Sequence, residues 1–351
     1  MTTFQKIQAT KNWQAPKNWL SIKTIEMHTG GEPLRVIIDG FPEIKGKNVL
    51  ACRNYVRENY DHLRTALMHE PRGHADMYGC LLVPPNDNAG DFGIIFLHNE
   101  GYSTMCGHAI IAITTLAVEM NWVEVTAPIT EIKIDAPCGR IHSFAKVLNG
   151  KVQGVYFHCV PSFVIALDET VTVEGLGTVK YDLAYGGAFY AYVNSNDLGL
   201  PLTKENYNLL IQKGMDIKRA IMAISKKVVH PFEMDLSFLY GTIFIGGPVS
   251  DGIDSRNVCI FAEGEVDRCP TGSGVSGRMP IHFAREEIHI GETMTIESIT
   301  GSVFTGSVVQ TTQYGPYEAV IPQVEGTAHI VGQCEFVIDP NDPFKYGFFL
   351  R

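Results

Sequence analysis

The sequence has no excess of basic residues, no long apolar run and no closely paired cysteines, and each absence removes a class of function. With 28 Lys and Arg against 38 Asp and Glu, the formal net charge is −10. An acidic surface is repelled by nucleic acid and by anionic membranes, and no basic patch interleaved with aromatics offsets it. The longest apolar stretch, Ala109 to Val118, is about half of what a helix needs to span a bilayer. The N-terminus, Met1 to Leu20, carries Lys6, Lys11, Trp13, Pro16 and Lys17 and no apolar segment of the signal-peptide kind, so a cytoplasmic location is expected. Cysteines stand at positions 52, 80, 106, 138, 159, 259, 269 and 334, with no Cys-x-x-Cys and no zinc spacing. Most read as small buried apolar residues. Neither a metal nor a cofactor is expected, and a possible set of His74, Asp76, His108 and Asp267 has no ligand spacing behind it.

What is present is a chain of 351 residues, 45% hydrophobic and 19% charged, long enough for two cores. Its focus is Ser103-Thr104-Met105-Cys106-Gly107-His108, placed between a turn and an apolar helix. Free N–H groups and the helix dipole at such a start favour a thiolate. A second stretch, Asp267-Arg268-Cys269-Pro270-Thr271-Gly272-Ser273-Gly274, repeats the design, with Thr271 in the place of Cys106 and a helix running on to Glu287.

Around these turns the expected order is an irregular arm over residues 1 to 20, strands at Ile22 to Glu26 and Leu34 to Ile38, and one helix of about five turns from Val49 to His69. Strands follow at Cys80 to Val83, Gly93 to Leu97, Glu131 to Ala136, Gly139 to Lys146 and Gly154 to His158. The second half matches: a strand, bend and strand over Tyr181 to Val193, a helix from Thr203 to Ile224, and strands at Gly241 to Ile245 and Val258 to Ala262. The fold class is α+β, mostly antiparallel, in two similar halves (1–175 and 176–351) with a linker near Pro161 to Lys180 and one site between the two turns. The last strands are hard to assign and are free to return to the first half.

Three chemistries remain at this point. Gly272-Ser273-Gly274-Val275-Ser276-Gly277 satisfies G-x-G-x-x-G, but a polar stretch separates it from the preceding strand, unlike a dinucleotide turn. Cys106 and His108 lie two apart, and i and i+2 point apart at a helix start, so His108 is expected to face a ligand rather than to activate Cys106. The third is a thiolate base that removes a proton from carbon while helix-start amides hold the substrate carboxylate.

Met105 to His108, Glu70-Pro71-Arg72-Gly73-His74, His28-Thr29-Gly30-Gly31-Glu32-Pro33 and Asp267 to Gly272 closely resemble the proline racemase family, over about residues 22 to 340. The resemblance implies a diaminopimelate epimerase-like fold whose halves each wrap a mostly antiparallel sheet around a central helix. Family racemases and 4-hydroxyproline epimerases use two cysteines, one on each face of Cα. Cys106 corresponds to the first, whereas Thr271 stands at the second, and a hydroxyl cannot exchange protons with carbon near neutral pH. The Cys/Thr pattern resembles the trans-3-hydroxy-L-proline dehydratase branch, which implies a cofactor-independent lyase. Cys106 would be the base at Cα, and Thr271 would bond the departing hydroxyl. The resemblance further implies that Asp267 pairs with the ring ammonium, that amides of Gly107, His108, Gly272 and Ser273 hold the carboxylate, and that Tyr78 and Phe261 line the ring. Family members often pair, so a homodimer is implied. Two alternatives stay open: a racemase or epimerase in which a shifted turn aims Cys269 at the ligand, and a non-catalytic binder of proline-like amino acids.

Overall fold

The computed structural model describes residues 2–350. Helix α1 (Thr3–Ala9) opens the chain, held by a reciprocal capping box between Thr2 and Gln5, and a single tight turn covers Thr10–Asn12. The expected irregular arm is thus helical in part, because its capping partners carry no hydrophobic signature; Met1 lies outside the described residues.

The first half continues with β1 (Leu20–Thr29), β2 (Glu32–Asp39), α2 (Val49–Asn59), α3 (Asp61–Met68), β3 (Tyr78–Val83), β4 (Phe92–His98), α4 (Gly107–Glu119), β5 (Ile129–Ala136), β6 (Gly139–Leu148) and β7 (Lys151–His158). The single helix expected over Val49 to His69 is broken at Tyr60, which takes φ −130° and ψ 19°. Its ring meets Phe41 and Tyr55 edge-on, both at 5.7 Å, a tertiary contact that helical spacing does not reveal.

The second half consists of β8 (Ser162–Val173), β9 (Gly177–Tyr185), β10 (Phe189–Asn194), α5 (Tyr207–Ile224), β11 (Leu239–Gly246), β12 (Ser255–Phe261), β13 (Glu265–Val266), α6 (Gly272–Ala284), β14 (Thr293–Glu297), β15 (Val303–Tyr314), β16 (Tyr317–Gly326) and β17 (Ala328–Ile338). The stretch expected as a linker, Pro161 to Lys180, is instead the antiparallel pair β8 and β9. Its solvent-facing polar residues give a strand the composition of a connector.

Strand pairing exposes the duplication. In the first half β2 runs parallel to β3 and β4 parallel to β5, with α2–α3 and α4 as the crossovers. In the second, β10 runs parallel to β11 and β12 to β14, with α5 and α6 in the matching places. The other strand pairs, β1 with β2 and β5 with β6 among them, are antiparallel. Strand β16 pairs with β7 of the first half and with β8 and β15 of the second, and β17 pairs with β1, so the C-terminal strands join the sheets of the two halves.

Helix α4 is buried from Gly107 to Val118 and α6 from Gly272 to Ile281. A helix enclosed on all sides by sheet has no need of a polar face, which is why the run after Cys106 is uniformly apolar. The glycines of the G-x-G-x-x-G stretch serve this enclosure: Gly274 lies against Ile243 and Gly277 against the Tyr192 hydroxyl. Among the described residues no helix is long and apolar enough to cross a membrane.

The two buried helices meet at their N-termini. A Cβ on Gly107 would stand 2.5 Å from the Gly272 Cα, and one on Gly272 would stand 2.6 Å from the Gly107 Cα. Backbone touches backbone there, so neither position accepts a side chain without prising the halves apart. Gly107→Ala is expected to destabilise the protein by about 1–3 kcal/mol, read as a lower denaturation midpoint, and to abolish activity together with that loss.

Candidate active site

Each central helix begins directly at a turn that ends a β-hairpin, so the residue at each helix start faces the other half. Cys106 is the N-cap of α4 and Thr271 the N-cap of α6, and neither side chain caps its own helix. Both are therefore free to face the narrow cavity between the helix starts. Every site residue expected from the sequence lines that cavity: Cys106, Gly107 and His108 from one turn, Asp267, Thr271, Gly272 and Ser273 from the other, and Tyr78 and Phe261 from the flanking strands. Sequence reasoning missed Met105, Tyr190 and Tyr240, which also line it. Tyr190 and Tyr240 sit in apolar strand runs where an inward aromatic looks like ordinary core; Tyr190 Oη lies 2.8 Å from Ser273 Oγ and so steadies the start of α6.

The Cys106–His108 geometry corrects the expectation from spacing. Cys106 takes φ −146° and ψ 103°, outside the helix, which swings its sulfur back to 3.1 Å from His108 Nδ1. His108 Nε2 lies 3.2 Å from the Pro33 carbonyl oxygen. A carbonyl only accepts, so Nε2 carries the imidazole hydrogen and Nδ1 accepts from the thiol. Burial lowers the His108 pKa to about 3, which keeps the ring neutral.

Burial also raises the Cys106 thiol well above its ordinary value, and the charges of Asp267 and Glu32 add to that; the Ala109 N–H and the Tyr78 hydroxyl oppose it. Desolvation outweighs the helix-start amides in this balance, which favours the thiol over the thiolate expected from the helix start alone. A base that is protonated at neutral pH becomes active only as protons are removed. Turnover at low substrate is therefore expected to rise with pH from neutrality toward the alkaline range, about tenfold per pH unit until the thiol titrates. A pH profile of kcat/KM that is flat there would contradict this.

Thr271 holds φ 68° and ψ 93°, a region that β-branched residues seldom enter. Its hydroxyl is buried without a hydrogen bond of good geometry, although it is near enough to Asp267 to help stabilise that carboxylate. Asp267 Oδ1 accepts from the Cys269 N–H at 2.8 Å. Burial raises the Asp267 carboxyl, while bonds from Cys269 and Thr271 and the charge of Arg268 pull it back. The Cys269 sulfur accepts from the Thr271 N–H at 3.4 Å and is not among the cavity-lining residues.

The segment bearing Asp267 is latched to the first half by residues to which the sequence assigned no step. Glu32, at the end of the Gly30-Gly31 turn, accepts from the Arg268 N–H at 2.7 Å, and the Arg268 guanidinium pairs with Asp76 at 2.5 Å. Tyr207 of α5 donates to Asp76 at 2.7 Å. Burial and the neighbouring Asp267 push the Glu32 carboxyl well above its usual range. The motifs around positions 28 and 74 thus work through their acidic members. His28 lies against His329 and His74 is exposed and bonded to its own loop.

His108, Asp267 and Cys269 bring nitrogen, oxygen and sulfur atoms within 4.8 Å of one another. His74 and Asp76, considered with His108 and Asp267 as a metal set, are not part of that group.

The geometry is that of a narrow pocket with amides from two helix starts, a carboxylate, and one thiol facing one hydroxyl. The chain matches the proline racemase profile over residues 24–349. It belongs to the proline racemase family. It is 50% identical to a trans-3-hydroxy-L-proline dehydratase of Colwellia psychrerythraea, over 97% of each chain. It is 44% identical to a 3-hydroxyproline 2-epimerase of Burkholderia multivorans, over 94% of this chain and 98% of the other. Among solved structures, a hydroxyproline epimerase of Agrobacterium vitis with bound trans-4-hydroxy-L-proline superposes with a TM-score of 0.88 at 31% identity, covering 94% of this chain and 96% of that one. The α+β fold of this chain is thus the family's, with the candidate site where the two halves meet.

Proposed function

We propose that the protein dehydrates trans-3-hydroxy-L-proline to Δ1-pyrroline-2-carboxylate without a cofactor. The observation that carries this reading is the asymmetry of the pocket: Cys106 on one side, and Thr271, whose hydroxyl cannot trade protons with carbon, on the other. The carboxylate lies against the N–H groups at the starts of α4 and α6, which spread the charge that develops when the Cα proton leaves. Asp267 receives the ring ammonium, and that cation offsets the two carboxyl charges that raise the Cys106 thiol, so substrate binding favours the thiolate. Tyr78 and Phe261 enclose the apolar edge of the ring. The pair of electrons left at Cα forms the C2–C3 double bond as the 3-hydroxyl departs, and the enamine tautomerises to the imine.

The dehydratase name carried by relatives at 46–50% identity supports the reading. An epimerase requires proton exchange on both faces of Cα, and Thr271 supplies none. The test is incubation with the separate hydroxyproline isomers while pyrroline formation and optical inversion are followed together. Pyrroline from trans-3-hydroxy-L-proline, with no D-proline from L-proline, is expected. Inversion without dehydration would establish the epimerase, and binding without either would establish a binder.

A further inference from the structure

We propose that Cys106 handles both protons of the elimination, taking the hydrogen from Cα and delivering it to the departing hydroxyl on the same face of the ring. The inference rests on the dehydratase reading and deepens it, and it starts from the stereochemistry of the substrate. In an L-configured ring a 3-hydroxyl trans to the carboxylate lies on the same face as the Cα hydrogen. That hydrogen must point at Cys106, because the opposite face meets only the Thr271 hydroxyl. The leaving hydroxyl therefore also points to the Cys106 side, away from Thr271, and the elimination is syn. A proton donor for that hydroxyl has to stand on the sulfur's side of the pocket.

Four groups stand there. His108 presents Nδ1, 3.1 Å from the sulfur, but its hydrogen is on Nε2 and committed to the Pro33 carbonyl. A neutral imidazole so held accepts at Nδ1 and has no proton to give there. Tyr78 Oη lies 2.5 Å from Ser103 Oγ, which engages its hydroxyl at the wall of the pocket, and Tyr240, which also lines the cavity, is a second phenol; neither is the atom that has just received the Cα proton. The fourth is the S–H bond that proton abstraction has just created.

The step balances without another participant. The thiolate electron pair takes the Cα hydrogen as a proton, breaking C–H and forming S–H, and the C–H electrons pass into the carboxylate-stabilised carbanion. Those electrons then form the C2–C3 double bond as the C3–O bond breaks and its pair leaves on oxygen. The S–H proton transfers to that oxygen, water departs, and the thiolate is restored. No net proton is gained by the protein. His108 is a positioning residue that keeps the sulfur on its line, and Thr271, read from the sequence as able to bond the departing hydroxyl, instead closes the silent face.

The wild-type enzyme with cis- and trans-3-hydroxy-L-proline in deuterated water tests this. In the cis isomer the Cα hydrogen still faces Cys106 but the hydroxyl lies on the Thr271 side. The trans isomer is expected to dehydrate at least about 100-fold faster, the span of a lost general acid, while the cis isomer takes up deuterium at Cα with retention. His108→Gln is expected to lower deuterium uptake and dehydration by the same factor. Comparable dehydration of both isomers by the wild type overturns the proposal. So does a His108→Gln enzyme that keeps deuterium uptake but loses dehydration, since the imidazole would then be the donor. No turnover of either isomer removes the dehydratase reading and this proposal with it, whereas equal turnover removes this proposal alone.

Discussion

Replacing Cys106 with serine is expected to lower dehydration of trans-3-hydroxy-L-proline by about 10⁴-fold, the upper range for loss of a positioned acid or base. The oxygen would point the same way as the sulfur, toward His108 Nδ1, but a serine hydroxyl has no accessible anion near neutral pH whereas a thiol does. Stability should not fall in parallel. Cys106 makes no side-chain capping bond to α4, and serine is among the residues preferred at an N-cap. Pyrroline formation measured beside the thermal midpoint separates the two effects, and a Cys106→Ser enzyme within tenfold of the wild type would remove sulfur from the mechanism.

Thr271→Cys is expected to create Cα inversion where the wild type has none, raising D-proline formation from L-proline by at least about 10²-fold over background. The hydroxyl being replaced is already buried at the cavity without a well-formed hydrogen bond, so a thiol inherits its direction. The change also exchanges a β-branched residue for an unbranched one at φ 68°, which eases the backbone rather than straining it. With sulfur on both faces, one cysteine can remove the Cα proton while the other supplies a proton from the opposite side. The readout is chirality together with solvent deuterium in the product. Deuterium without inversion would show that the second face stays closed to proton exchange, and the two-face account of the family difference would fail.

Much of this protein was open to reading from its residues alone. A turn followed by an apolar helix placed Cys106 and Thr271 at helix starts, because the free N–H groups and the steric demands of such a junction are local. The matching order of strands and helices exposed two similar halves, and Thr271 at a cysteine position pointed to elimination rather than inversion. Other features depended on segments far apart in the chain, whose meeting leaves no local trace. The break at Tyr60 comes from an aromatic contact with Phe41. The expected linker is a strand pair, because alternating polar residues serve equally a connector and a half-exposed sheet. Only the folded backbone turned the Cys106 sulfur onto His108, and only the juxtaposition of the halves gave Glu32 and Asp76 their common partner, Arg268. Residue type and local sequence set which chemistry was available; desolvation and the direction of each side chain, which exist only once the halves close on one another, set the environment of the thiol and which group faces which side of the pocket.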